Sequence, residues 1–205
     1  MEKVENTTLD KILKEAKIEF MDKGYLKASL REIVRKAGVT TGAFYGYYKN
    51  KEQLFDALVG RQYNEILEKY QETLDNFFER SPEEQCKDML SITYESVLEL
   101  KDYVYDHYDA VKMILCCSEG TRYKDLIEKM AGLDATATRD FAKTMDYVTG
   151  DERPVHPILQ NTLTSGMFIG FFELIVQDVP REEADEYISE LLEFYSAGWG
   201  RLMGF

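Results

Sequence analysis

Between Gly24 and Asn50 the sequence has room for only two very short helices, which limits the available folds more than any other stretch. Ser29 opens the run Ser-Leu-Arg-Glu, where the serine can accept from a free backbone amide and Glu32 can reach back to the cap. Leu30, Ile33, Val34 and Ala37 then share one face, and Gly38 ends the piece. After Val39 a second start falls at Thr40 or Thr41. Phe44 and Tyr48 lie four apart, and this helix closes near Tyr48. Two short helices joined through Ala37-Gly38-Val39-Thr40 form a helix-turn-helix, in which glycine takes the sharp turn and valine plugs the angle.

The second of these helices has an unusual outer face. Phe44 and Tyr48 point inward, whereas Gly42 and Gly46 point outward, flanked by Thr41 with Tyr45 and by Ala43 with Tyr47. Two glycines in so short a helix cost about 1 kcal/mol each relative to alanine, and exposed tyrosines add nothing to folding. Close approach to a DNA groove accounts for both. Ser29 and Lys51 at helix starts, together with free amides and the Tyr45 and Tyr47 hydroxyls, are the candidate phosphate contacts. Thr41, the Gly42 and Ala43 surface, and Arg31 on guanine are the candidate contacts to bases, and Thr40 is a further candidate DNA-binding residue. So few base-reading side chains leave much of the selectivity to half-site spacing and duplex shape.

Charge divides along the chain in the same sense. The net charge is -13, yet residues 1–60 hold eleven Lys/Arg against nine Asp/Glu, while the remainder holds fourteen against twenty-nine. Within residues 27–51, Lys27, Arg31, Arg35, Lys36, Lys49 and Lys51 face only Glu32. Such asymmetry suits an anion-binding head on an acidic, solubilising body.

Helical periodicity continues on both sides of the motif, and no alternating strand with hairpin turns interrupts it, so the expected class is all-α. Leu9, Ile12, Leu13, Ala16 and Phe20 form one face of a first helix that stops at Gly24. Asn50 with Gln53 caps a fourth helix running beyond residue 70. Ser81-Pro82-Glu83-Glu84 is the strongest helix start in the chain. Helices follow over roughly 82–104, 106–117, 121–148, 156–178 and 181–203, with a loop from Asp151 to Pro157. Residues 1–52 are read as the DNA-binding head and 53–205 as a helical body for effector binding and dimerisation.

Ala16, Phe20, Gly24-Tyr25, Ser29, Ile33, Ala37-Gly38-Val39, Gly42, Phe44-Tyr45, Tyr48, Lys51-Glu52 and Leu54 resemble the pattern of the tetracycline-repressor (TetR/AcrR) family over about residues 8–55. The resemblance implies a homodimer of nine-helix chains whose last two helices build a four-helix bundle. It also implies a palindromic double-stranded DNA operator and a small-molecule effector that releases it. One departure stands out: the histidine-phenylalanine pair common at the end of the third helix is here Tyr47-Tyr48.

In the body, Tyr94, Tyr103, Tyr105, His107, Tyr108, Met113, Cys117 and Tyr123 form a set of rings with polar tips, and Phe168 and Phe172 can add a wall. Such a set suits an amphipathic pocket for a flat or cationic ligand, although core packing calls for much the same residues. The last two helices are apolar on more than one face. They place Leu159, Leu163, Gly166, Gly170, Leu191, Tyr195, Gly198, Trp199 and Leu202 at a candidate dimer interface. An enzyme is disfavoured: His107 and His156 lie in no metal-binding or catalytic spacing, and no glycine-rich phosphate loop occurs. A helical adaptor without DNA binding is the other alternative. Neither cofactor nor metal is expected, the three cysteines are expected as thiols, and the start lacks a signal-peptide pattern. No apolar run suggests a membrane span, so the chain is expected in the cytoplasm.

Overall fold

The computed structural model describes residues 7–149 and 155–203. Among them nine α-helices follow one another with one 3₁₀ turn and no strand. They are α1 (Thr8–Lys27), α2 (Leu30–Lys36), α3 (Thr41–Tyr47), α4 (Lys51–Phe78), α5 (Pro82–Asp106), α6 (Tyr108–Cys117), the 3₁₀ turn Arg122–Asp125, α7 (Leu126–Thr149), α8 (Pro157–Val176) and α9 (Arg181–Met203). The helix expected over 121–148 is thus divided, its first turn being 3₁₀. Of the loop expected over 151–157, residues 151–154 lie outside the described residues.

Local chemistry sets most helix starts. Thr7 with Asp10 and Ser81 with Glu84 form reciprocal capping boxes for α1 and α5, and Pro82 occupies the first turn of α5. At Ser29 the expected box is only half made. Its oxygen accepts from the Glu32 amide, but the Glu32 carboxylate instead takes two guanidinium donors of Arg35 at 2.7 and 3.1 Å. The reason lies in the cap itself: the Ser29 N–H is already bound by Glu19 at 3.2 Å, leaving Glu32 no orphan donor to satisfy. Gly24, at φ 69°, breaks α1 where the sequence ends it, and one further turn follows to Lys27.

The chain divides into two compact units. The first contains the described residues up to Asn64 together with Asp109–Lys124. The second contains Glu65–Tyr108 and the described residues from Asp125 onward. The expected boundary after residue 52 therefore falls inside the first unit, and nearly all of α6, expected in the body, belongs with the head.

The first unit is built on Ile12, Ala16 and Phe20 of α1, Ile33 and Val34 of α2, Phe44 of α3, and Leu54, Phe55 and Val59 of α4, all buried. Phe55 meets Phe20 edge-on at 4.9 Å and Tyr25 at 5.3 Å. Tyr123 is fully buried against Phe55 and Tyr63, its ring 5.9 and 5.1 Å from theirs. Its hydroxyl donates to Asp56 and accepts from Arg122, and burial with the Asp56 bond pushes the phenol up to about 12. A β-carbon on Gly60 would sit 3.0 Å from both the Tyr123 hydroxyl and an Asp56 oxygen, so a side chain there would push against this pair.

In the second unit α8 packs against α7 and α9, and α5 against α7 and α9. Among the described residues α8 is the one helix long and apolar enough to cross a membrane by length and composition, with a mean hydropathy of 1.2. Its buried polar residues show it acting as a core helix: Gln160 donates to the Ala135 carbonyl at 2.7 Å and Thr164 to Asp134 at 3.1 Å. At the other end, Arg181 of α9 holds Asp102 and Asp106 of α5 at 2.7 and 2.6 Å, and buried Lys101 donates to Asp185 at 2.5 Å. No disulfide joins the three cysteines.

Candidate nucleic-acid interface

Two charged side chains lock the helices that carry α3, and sequence reasoning assigned neither of them this role. Glu19 of α1 is wholly buried, yet it is fully used. It accepts from Lys23 at 2.7 Å, from Lys36 of α2 at 3.2 Å and from the Ser29 amide that begins α2. The Lys23 hydrogen bond foremost, opposed by burial and aided by Ser29 and Lys36, lowers its carboxyl to about 2. Lys51, expected to contact phosphate, instead turns its ammonium inward. It donates to the carbonyls of Tyr25, Ala28 and Leu26 at 2.7, 3.1 and 3.2 Å and sits over the Tyr25 ring at 4.6 Å. Those carbonyls end α1 and have no helical partner, so a cation satisfies them best. The Lys51 ammonium is thus engaged within the chain.

On this frame α3 presents the face expected of it. Gly38 makes the turn at φ 66°, and Thr40 is the N-cap, accepting from the Ala43 amide at 3.1 Å. Phe44 is 1% exposed, whereas Tyr45 and Tyr47 are 57% and 50% exposed. Thr41, Gly42 and Gly46 are exposed beside them, and Ala43 is half-buried. A β-carbon at Gly46 would meet nothing within 4 Å, and at Gly42 only the Thr40 hydroxyl at 3.9 Å. Packing within the chain therefore demands neither glycine.

The basic cluster is smaller than the sequence suggests. Of its six members, Arg35, Lys36 and Lys51 are engaged by Glu32, Glu19 and the α1 carbonyls. Arg31 is exposed on α2, as are Lys27 and Lys49 on the neighbouring loops and helix end. Ser29 is half-buried and used as a cap.

The residues proposed for an effector are scattered. Tyr103 donates to Glu65 at 2.5 Å, Tyr105 to the Val179 carbonyl at 2.9 Å, and Tyr108 to Asp178 at 2.5 Å. His107 ends α5 with its ring 4.5 Å from Tyr103, and His156 caps α8. Met113, Cys117 and Tyr123 are buried in the first unit. A cavity of about 340 Å³ does exist in the second unit; Phe168 alone of the ten lines it, while Tyr94 borders a smaller neighbouring hollow. Phe172 is buried. The glycines proposed to admit a partner helix admit one from the same chain: a β-carbon at Gly166 would fall 2.8 Å from the Tyr195 hydroxyl, and at Gly170 3.0 Å from Leu191. Tyr195, Leu191 and Trp199 line the cavity, and Leu163 is half-buried. Leu159 and Leu202 are exposed together with Ile158, Ile169 and Phe194, and a β-carbon at Gly198 would meet nothing within 4 Å.

A short exposed helix that follows a tight glycine turn after another short helix has the geometry of a helix-turn-helix. Residues 5–58 match the profile of the bacterial regulatory proteins of the tetR family. The chain is 45% identical over 56 residues to the transposon Tn10 TetC protein of Escherichia coli, covering 27% of this chain and 28% of that protein. It is 26% identical over 105 residues to the HTH-type transcriptional repressor KstR2 of Mycolicibacterium smegmatis, covering 51% and 50%. The matched part thus spans between about a quarter and a half of these relatives' own length. A TetR-family regulator structure from Mesorhizobium loti shares the fold over 96% of this chain and 98% of that one, with a TM-score of 0.51 at 17% identity.

Proposed function

We propose that the chain is a cytoplasmic repressor that binds a palindromic operator as a homodimer and leaves it when a small molecule enters the body. The observation that carries this reading is the α3 surface: two glycines that internal packing does not require, beside two half-exposed tyrosines. A glycine lowers the helix surface and lets the backbone approach a groove. Thr40, Thr41, Gly42 and Ala43 face the bases, Tyr45 and Tyr47 donate to phosphates, and Arg31 reaches either a phosphate or a guanine. The half-buried Ser29 supports them through its cap.

Two copies of the head are needed to read two half-sites about 34 Å apart. The exposed apolar residues Ile158, Leu159, Ile169, Phe194 and Leu202 on α8 and α9 favour these helices as the dimer face. For effector control, the cavity lining includes Tyr70, Leu74 and Phe77 of α4, the helix whose first residues belong to the head unit. A ligand that shifts α4 changes the setting of the heads, and a coupling of about 1–3 kcal/mol suffices.

Selection of bound duplexes from a random pool tests the reading. Enrichment of a twofold-symmetric site, lost when Tyr45 and Tyr47 are both replaced by alanine, is the expected result. A pool that stays random overturns it.

A further inference from the structure

The cavity of the second unit, at about 340 Å³, lies at the small end of the range that takes drug-sized ligands. Its walls are largely apolar and carry eight aromatic side chains. Tyr70 stands edge-on to Phe168 at 5.3 Å, Phe77 meets Phe141 at 5.5 Å, and Trp199 of α9 joins the lining. Besides the exposed Glu72 and Glu99, one further carboxylate stands among these rings. Asp134 of α7 lies deep in the unit but keeps part of its surface open to the cavity.

The contacts of Asp134 are all with neutral hydroxyls. Tyr70 donates to one oxygen at 2.5 Å, and Thr164 and Thr138 donate to the other at 3.1 and 3.3 Å. These donors orient the carboxylate and leave acceptor capacity unused, since a carboxylate offers about four lone-pair directions. Among the described residues it has no ion-pair partner, and burial pushes its proton affinity above the ordinary carboxylate range. The rest of the charged lining is acidic on balance: Glu72 and Glu99, both exposed, against a single Lys69. A carboxylate held in an apolar chamber without a countercharge is costly, and a ligand that brings the countercharge recovers that cost.

We infer that this cavity binds a lipophilic cation, a protonated or quaternary amine seated against Asp134 with its apolar body between the aromatic walls. The aromatic faces add cation–π attraction to the charge pair. The inference rests on the reading of the body as an effector-binding unit and names the chemical class of the effector.

The test is calorimetric titration of the full chain with three probes of one shape: naphthylmethyl-trimethylammonium, its neutral carbon isostere neopentylnaphthalene, and the anion naphthylmethanesulfonate. The cation is expected to bind at least about tenfold more tightly than either of the others. Asp134→Asn is expected to erase that preference while the neutral isostere keeps its affinity, and Met167→Trp, which fills the chamber, to abolish binding of all three. A wild-type protein that prefers the neutral or anionic probe, or binds none, overturns the inference, as does a preference that survives Asp134→Asn. Should the asparagine variant fail to fold, the wild-type ranking alone decides. Cation binding that leaves the affinity for selected duplexes unchanged keeps the site and refutes ligand control. Anion preference coupled to release of DNA does the reverse.

Discussion

The side-chain ammonium of Lys51 lies 2.7 Å from the carbonyl oxygen of Tyr25, so the first residue of α4 caps the last turn of α1. Lys51→Ala orphans three carbonyls and is expected to lower the stability of the head by about 1–3 kcal/mol, read from denaturant unfolding. The salt dependence of DNA binding should keep its slope in this variant. Arg31→Ala, by contrast, should reduce that slope by about 1. A slope that changes with Lys51 and not with Arg31 would exchange the two roles.

Glu19 makes the head sensitive to acid. Its carboxyl is lowered from 4.5 to about 2 in the folded chain, so the unfolded state binds the proton first as pH falls. The stabilisation is complete above about pH 4.5 and drains away toward pH 2; it amounts to at most about 3 kcal/mol. Glu19→Gln should therefore be less stable than the wild type near neutrality, with the gap closing in acid. Urea unfolding at about pH 7 and about pH 3 measures this, and a gap of equal size at both would remove Glu19 from the account.

Gly46→Ala separates folding from binding. With open space around the new methyl group, the substitution is expected to stabilise the head by about 0.4–1 kcal/mol. Affinity for selected duplexes should nevertheless fall, because the methyl group occupies space meant for the groove. Improved stability with undiminished affinity would show that the α3 surface does not approach DNA closely.

Phe194, 71% exposed on α9, is the sharpest probe of assembly. Phe194→Glu should yield a monomer in sedimentation at micromolar concentration, with helical content unchanged and cooperative DNA binding lost. A dimer that survives the substitution moves the interface away from α9.

The order of the helices was legible because its signals are local. Ser81-Pro82-Glu84 caps α5 as its spacing implies, and Val179-Pro180 separates α8 from α9. The frame beneath α3 was not, because its contacts are remote: Lys51 finds its carbonyls 23 to 26 residues away, and Glu19 finds Ser29 ten away. Two signs of it were nonetheless present. Glu19 places a charge beside the apolar stripe of Ile12, Ala16 and Phe20, and Lys51 puts a cation in the first turn of a helix, where the dipole disfavours it. The cavity was the least legible part. The ring-rich segment from Tyr103 to Tyr108 spends its hydroxyls on Glu65, Val179 and Asp178, while the chamber draws on Tyr70, Phe77, Phe141 and Trp199, from helices far apart in sequence. Spacing along one helix cannot reveal which rings from distant helices will converge.

The chain enters the head unit twice, and this sets an order of events during synthesis. Phe55 and Tyr63 are made early, but the ring that packs on both, Tyr123, is about sixty residues behind them. A nascent chain that has released only its first sixty-four residues still exposes the apolar wall meant for that ring. The head therefore reaches its final form only after the whole of α5 has left the ribosome, and a fragment cut after Asn64 would retain the reading helix while lacking the plug behind it.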